Sequence, residues 1–474
     1  MEAQRKNREV HLRALCITLA IGAVIWFIPS PVDLQEKAWH LFAIFVATIV
    51  GFIIKPLPMG GVAILSITAV VLTGTLKLEE ALSGFQNTTI WLIVIAFFIS
   101  RGFIKTGLGN RIAYMFVKLF GRKTLGLSYS LLVSDLILSP AMPSNTARGG
   151  GIIFPIAHSL SRTFGSDPEN GTEKKVGSFL MQVAFQGVNI TSAMFMTAMA
   201  ANPLAATLAH NAGVTITWTD WALAAIVPGL ASLIVVPYFI YKVYPPEIKE
   251  TPAASEIATE KLKEMGPLKK SEWSMIMVFL LILALWIFGG KLGIDATTTA
   301  LIGLSVLLLT SVLTWKDVKK EEGAWDTLVW FASLVMMATF LNSLGMIPWF
   351  SHLMGTAVHG LPWIWALIAL ALIFFYSHYF FASNTAHVSA MYAAFLGVAI
   401  AAGAPPMLAA LLLGFIGNLF GCLTHYGSGP APVFFGSGYV PQDKWWLLGF
   451  SVSVIHLIIW GGIGGLWWKM LEIW

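Results

Sequence analysis

The chain has 474 residues, 57% hydrophobic and 11% charged, with a mean hydropathy of +0.76. Soluble domains carry about a quarter charged residues, so the composition excludes an ordinary soluble enzyme or binding module and indicates an all-α polytopic membrane protein. The net charge of +5 does not call for a nucleic-acid partner, because the basic residues fall in short loops between apolar runs, where they set orientation.

Apolar runs of the roughly 17 to 25 residues needed to cross a bilayer recur from residue 14 to residue 468. Arg5, Lys6, Arg8 and Arg13 precede an apolar run from Leu15 that no small-residue cleavage site follows. This predicts a retained first helix, not a signal peptide. Spans are predicted near 14–29, 38–54, 60–76 and 90–106. Arg101, Lys105, Arg111, Lys118, Arg122 and Lys123 then precede an apolar run, 126–142, which leads into the polar stretch from Pro143 to Gly151. A second run, 152–160, leads away, followed by Arg162, Lys174 and Lys175. Both arms are short for a crossing and both flanks are basic. The chain therefore enters and leaves on one side, as a re-entrant hairpin near 126–160. Non-helical backbone at that depth needs protein or a wet cavity around it.

The apolar segment near 178–212 is interrupted at Gln186–Asn189 and again from Thr197 to Pro203, the pattern of a broken helix. A span at 222–242 follows. Residues 245–271 carry mixed charge between Pro246, Pro252 and Pro267 and read as a solvated cytoplasmic linker with a short surface helix. Spans near 272–290, 297–314 and 326–345 lead to a second hairpin, near 362–402. A second broken helix, near 406–440, contains Thr424 to Pro430, and a span at 447–468 closes the chain. The reading is eleven spans and two hairpins, grouped as 1–37 (N-terminal segment and first helix), 38–244 (first repeat), the linker, and 272–474 (second repeat). Lys and Arg then concentrate on the side of the N-terminus, which makes that side cytoplasmic. The N-terminus lacks transit-peptide character, which favours a multi-pass protein of a bacterial plasma membrane.

The polar stretch occurs twice. Ser144-Asn145-Thr146-Ala147-Arg148 recurs as Ser383-Asn384-Thr385-Ala386-His387, 239 positions on. At the same offset Gly84, Thr88 and Trp91 match Gly323, Thr327 and Trp330, and Leu65-Ser66 match Leu304-Ser305. At an offset of 227, Thr197 and Pro203 match Thr424 and Pro430. Five spans separate equivalent points, and an odd number inverts the second copy. Inverted repeats with discontinuous helices point to the binding site of a secondary transporter.

Alone, Ser-Asn-Thr is an N-cap or turn. Paired tips facing each other, each with hydroxyl, amide and helix-start N–H groups, suit a ligand with an anionic group at each end. A dicarboxylate meets that description. Arg148 and His387 hold equivalent places after each triplet, and charge at membrane depth is costly and usually functional. The local alternative is a counter-ion role, with Asp135 as partner for Arg148. Asp135 has no acidic counterpart, since its equivalent is Phe374. His378 reads as a satisfied buried histidine, Thr197 and Thr424 as third contacts at the breaks, and Gly149 to Gly151 as close packing at the tip.

These features together resemble the divalent anion/sodium symporter family of dicarboxylate and citrate transporters. The resemblance covers essentially the whole chain. It implies a homodimer in which a scaffold carries an elevator-like transport domain, with substrate carboxylates held by Ser144, Asn145, Thr146, Ser383, Asn384 and Thr385. Sodium-coupled members typically have Thr where this chain has Arg148 and His387, and they clasp sodium near each tip. The Ser-Asn-Thr-Ala-Arg run with trailing glycines resembles the exchanger branch, which includes bacterial citrate/succinate and tartrate/succinate antiporters and plastid 2-oxoglutarate/malate translocators. The expectation is sodium-independent exchange of C4 and C5 dicarboxylates, with no cofactor and no metal site. A tethered, unpaired cation would hinder the empty carrier, and an imidazole, whose charge changes near neutrality in water, would add a pH dependence. Coupled symport is the alternative. An intramembrane enzyme is disfavoured, since no His-Glu-x-x-His or Gly-x-Ser-x-Gly stands in the hydrophobic spans, and two occluding hairpins disfavour a channel.

Overall fold

The computed structural model describes residues 10–357 and 362–474. The expectations on Arg5, Lys6 and Arg8, and on the loop at 358–361, lie outside the described residues. Among the described residues every regular element is helical, apart from one isolated bridge between Lys123 and Glu250. Long apolar runs suit helices in hydrocarbon, because a helix satisfies each backbone N–H and C=O within its own segment. Nine described helices are long and apolar enough to cross a membrane, and Leu12–Phe27, Met59–Leu72, Ala296–Leu309 and Pro406–Cys422 are shorter apolar ones.

The same succession of elements occurs twice. Met59–Leu72, Thr88–Thr106, Thr124–Leu138 and the helical run from Asn145 to Thr163 are echoed by Ala296–Leu309, Glu322–Ser343, Trp363–Tyr376 and Asn384–Ala401. Gly177–Met194 stops at a short 3₁₀ turn, Met196–Ala198, before Ala201–Asn211. Likewise Pro406–Leu419 stops at Phe420–Cys422 before Ala431–Gly436. The long closing helices Trp218–Val243 and Gln442–Ile458 follow each break.

Polar residues fix where helices begin. Asn87 accepts from the N–H groups of Thr89 and Ile90, Thr217 forms a capping box with Asp220, and Asp295 accepts from Thr297 and Thr298. Leu12–Phe27 packs on Glu36–Ile54, and Glu36–Ile54, Met59–Leu72 and Thr88–Thr106 pack with helices of the set Lys270–Phe288, Ala296–Leu309 and Glu322–Ser343, whereas both broken helices, their flanking tips and the closing helices pack around one another. The two groups meet where Ala201–Asn211 lies on Glu322–Ser343 and where Asn384–Ala401 lies on Met346–Ala357.

The stretch 245–271 carries a short surface helix, as the sequence predicts, and is held against the protein along its length. Its helix, Pro252–Met265, buries Ala254 and Ala258 and packs on Leu108–Phe120. The preceding strand-like segment is stitched down by Thr251 N–H to the Arg122 carbonyl (2.8 Å), Thr124 N–H to the Lys249 carbonyl (3.0 Å) and Glu247 N–H to the Lys174 carbonyl (3.1 Å). Arg111, itself buried, donates to Glu272 (2.6 Å) and to the Gly266 carbonyl (2.9 Å), closing the far end. The segment is a strap, because its two small apolar residues, four apart, give the helix a flat docking face.

Candidate functional site

The first tip forms because Pro143 has no N–H to continue the helix ending at Leu138 and its 3₁₀ extension, Ser139–Ala141. Ser144 is extended and its Oγ accepts from the Ala147 N–H (3.1 Å), starting the helical run at Asn145. The second tip is built alike: Ser383 is extended and accepts from the Ala386 N–H (3.3 Å). The cap reading of both serines holds, and both place a helix start at the tip. The run from Asn145 then passes through a π turn, Gly149–Ile153. A Cβ on Gly149 would sit 3.1 Å from Val188 and 3.3 Å from Pro430, while one on Gly151 would meet nothing. Close packing therefore explains the first of the three glycines only.

Each asparagine ties its tip to a broken helix. Asn145 Nδ2 contacts Met199 Sδ (3.2 Å) at the first break, and Asn384 Nδ2 donates to the carbonyls of Gly417 (3.2 Å) and Asn418 (3.3 Å) before the second. Both tips converge on the segment 420–430. The Thr146 hydroxyl lies against Gly429, and both residues are exposed. At the other end, the space beside Gly421 is bounded by Asn384 Nδ2, Asn189 Oδ1 and Ser428. Ser383 and Thr385 flank Asn384 and are half-buried. Among the described residues no hydrogen bond joins one triplet to the other; they share the second break as a common floor. Asn202 and Asn418 brace the two broken helices across 2.6 Å.

Arg148 is fully buried and spends all five N–H donors inside the protein. Nε donates to Asp135 Oδ1 (2.7 Å), Nη1 to the carbonyls of Met142 (2.8 Å) and Ala198 (3.0 Å), and Nη2 to Thr191 (3.3 Å) and Ser192 (2.9 Å). Thr191 donates to the other Asp135 oxygen. The expectation of an unpaired cation is therefore corrected. Asp135 compensates the charge, and Arg148 joins the first tip to the first break instead of reaching toward a ligand.

His387 departs further from a free base. It is fully buried, stacked on Phe381 (4.2 Å) and Phe420 (4.5 Å), with Phe374, the positional equivalent of Asp135, 4.7 Å away. Its Nδ1 faces His378 Nδ1 (3.0 Å) and its Nε2 faces the Ser377 hydroxyl (3.2 Å). His378 Nε2 lies 2.7 Å from the Gly427 carbonyl, which can only accept, so that nitrogen carries the proton. The ion pair of the first repeat has become an aromatic stack in the second, and His378 is the satisfied histidine the sequence predicts.

The two threonines part company. Thr197 is buried, donates to the Pro140 carbonyl and accepts from the Trp218 indole (3.1 Å). Thr424 is equally buried, and its hydroxyl has no partner among the described residues. Asn189 Oδ1, Asn418 Oδ1 and Ser428 Oγ are also unpaired there. The sequence marks Asn189 and Ser428 only as parts of the two helix interruptions and does not single out Asn418. A polar residue inside an apolar span was the available signal. The arrangement offers two helix starts, an exposed hydroxyl on Thr146, half-buried ones at the second tip and unsatisfied oxygens around one floor, which is a polar cradle able to bind.

Comparison with known proteins places the chain among membrane transporters. Residues 9–474 match the sodium:sulfate symporter transmembrane region. A Bacillus subtilis protein named as a candidate malate transporter, YflS, is 70% identical over 99% of this chain and 98% of its own. The chloroplast dicarboxylate transporter 1 of Spinacia oleracea is 55% identical over 98% of this chain and 82% of its own, and the inner membrane protein YbhI of Escherichia coli is 40% identical over 97% and 98%. The fold is similar to that of the Alcanivorax borkumensis YdaH transporter, with a TM-score of 0.57 at 13% identity, over 97% of this chain and 96% of that one.

Proposed function

The chain belongs to the sodium:sulfate symporter transmembrane family and is a multi-pass membrane transporter, not an enzyme, and on that premise we propose that it exchanges C4 and C5 dicarboxylates, such as succinate, malate and 2-oxoglutarate, without sodium. The names of its relatives support the substrate class. The observation that carries sodium independence is the grip of Arg148 Nη1 on the carbonyls of Met142 and Ala198. That grip joins tip to break as a bound monovalent cation would, but the cation is covalently part of the chain and cannot leave with the substrate. No ion gradient then drives net uptake, and flux follows the dicarboxylates themselves.

Because Asp135 neutralises Arg148, the hindrance to an empty carrier has another source in this proposal. Two helix starts, at Asn145 and Asn384, each carry about half a positive charge, and an empty site leaves both unopposed. Two carboxylates oppose both. The Thr146 hydroxyl, exposed beside Gly429, and Ser383 and Thr385 at the second tip supply the remaining contacts. In the same proposal the tips are re-entrant hairpins of inverted repeats, the group of helices around the breaks moves elevator-fashion against the other, and two copies form a homodimer with cytoplasmic N-termini.

Sodium- or proton-coupled symport is the second reading, favoured by Asn189 Oδ1, Thr424 Oγ1 and Ser428 Oγ, unpaired oxygens that a small cation accepts. Proteoliposomes separate the two. Uptake of labelled succinate into succinate-loaded, sodium-free vesicles and none into empty ones supports exchange. Accumulation in empty vesicles driven by an imposed ion gradient supports symport.

A further inference from the structure

A cavity of about 320 Å³ lies on the far side of the second tip's first arm, between Trp363–Tyr376, Pro406–Leu419 and the closing helix from Gln442. Its walls are aliphatic and aromatic, and at its mouth Ile364, Ile368 and Leu372 are 36–40% exposed. In a membrane protein that mouth meets hydrocarbon. One lining side chain is out of character. His456 is fully buried, and neither ring nitrogen has a partner among the described residues. The lining indoles are all satisfied elsewhere: Trp460 by Ser232 (3.0 Å), Trp468 by the Ala224 carbonyl (2.8 Å) and Trp474 by the Gly465 carbonyl (3.0 Å).

We propose that this cavity binds an apolar molecule from the bilayer that bears a single hydroxyl group, with that hydroxyl on His456. The two ring nitrogens of an imidazole point away from each other, one a donor and one an acceptor, and a hydroxyl, which can donate or accept, pairs with whichever faces the cavity. Ordered water is a poor occupant, since each buried water takes two to four polar partners and the lining side chains leave only His456 unspent. A plain hydrocarbon chain fills the walls but leaves the imidazole unsatisfied. The backbone is also shaped for an occupant. The helix widens into a π turn, Ile459–Gly464, three residues after His456, and π turns often mark functional sites. A Cβ on Gly461 or Gly465, both in the lining, would meet no atom within 4 Å. Such an occupant braces the arm Trp363–Tyr376 against Pro406–Leu419 and so restrains the second tip, whatever substrate that tip binds.

The test uses the full protein in lipid nanodiscs, a photoreactive octanol with a diazirine in its chain, and peptide mapping after illumination. Saturable labelling is expected on peptides from 363–376 and 456–468, displaced by 1-octanol and not by n-octane. His456→Leu should weaken labelling about 5-fold, the worth of one hydrogen bond, while His456→Gln, which keeps a donor and an acceptor, retains it. Gly461→Leu should abolish it by filling the space. Equal competition by n-octane, unchanged labelling in His456→Leu, or label spread evenly over all lipid-facing helices overturns the proposal.

Discussion

Arg148 and Asp135 are both buried and joined at 2.7 Å, and this pair makes the sharpest structural prediction. Arg148→Met leaves Asp135 with Thr191 alone, and Asp135→Leu leaves a guanidinium without its counter-charge. Breaking a buried pair by removing one partner costs about 3–5 kcal/mol. The double variant Arg148→Met with Asp135→Leu leaves no buried charge, and apolar replacement of a whole pair is often near neutral. Here four further acceptors, on Met142, Ala198, Thr191 and Ser192, also lose a donor, so recovery is partial. The loss in the double variant should fall short of the sum of the single losses by at least about 2 kcal/mol of coupling. Denaturant unfolding of the purified protein, followed by tryptophan fluorescence, reads the cycle, and exchange assays should find the double variant inactive, because the link between tip and break is gone. Single losses below about 1 kcal/mol, or additive losses, refute the reasoning.

Thr197→Val should destabilise by about 1–3 kcal/mol, since it strands the Pro140 carbonyl and the Trp218 indole. Thr424→Val removes an unpaired hydroxyl, so unfolding should be unchanged while KM for dicarboxylate rises about 3- to 10-fold; parallel unfolding and uptake measurements distinguish the two. Gly429→Ala places a methyl group against the Thr146 hydroxyl, and KM should rise with little loss of expression. At the surface, Lys105 donating to Asp317 (2.7 Å), with Thr314 beside it, holds the Asp317 carboxyl well below its usual range. A depressed carboxyl stabilises above its unfolded value, near 3.9, and loses that contribution as pH falls. Asp317→Asn should therefore cost under about 1 kcal/mol at neutral pH, with the difference from wild type shrinking below pH ~4 in unfolding titrations.

The class, the paired tips and the two breaks were legible because each leaves a local mark: hydropathy, a repeated Ser-Asn-Thr, or polar residues inside an apolar run. The counter-ion role of Arg148 was legible as an alternative, since Asp135 lies thirteen residues away in the same unit. Its bonds to Ala198, Thr191 and Ser192 were not, because they depend on how the first broken helix folds back. The offset of 239 correctly equated Arg148 with His387 by position but misled about environment. The substitution of Phe374 for Asp135 was the clue that the second copy had exchanged charge for aromatic stacking. The strap at 245–271 was masked by its charge, with only Ala254 and Ala258 to mark its buried face. The brace from Asn202 to Asn418 spans 216 residues and has no local signature.

Sodium-free exchange in reconstituted vesicles tests the central claim most directly. Wild-type protein in succinate-loaded proteoliposomes, with potassium as the only alkali cation, should take up labelled succinate, and empty vesicles should show at most a background rate. Equal uptake into empty vesicles, or uptake that appears only when sodium is added, would contradict the account.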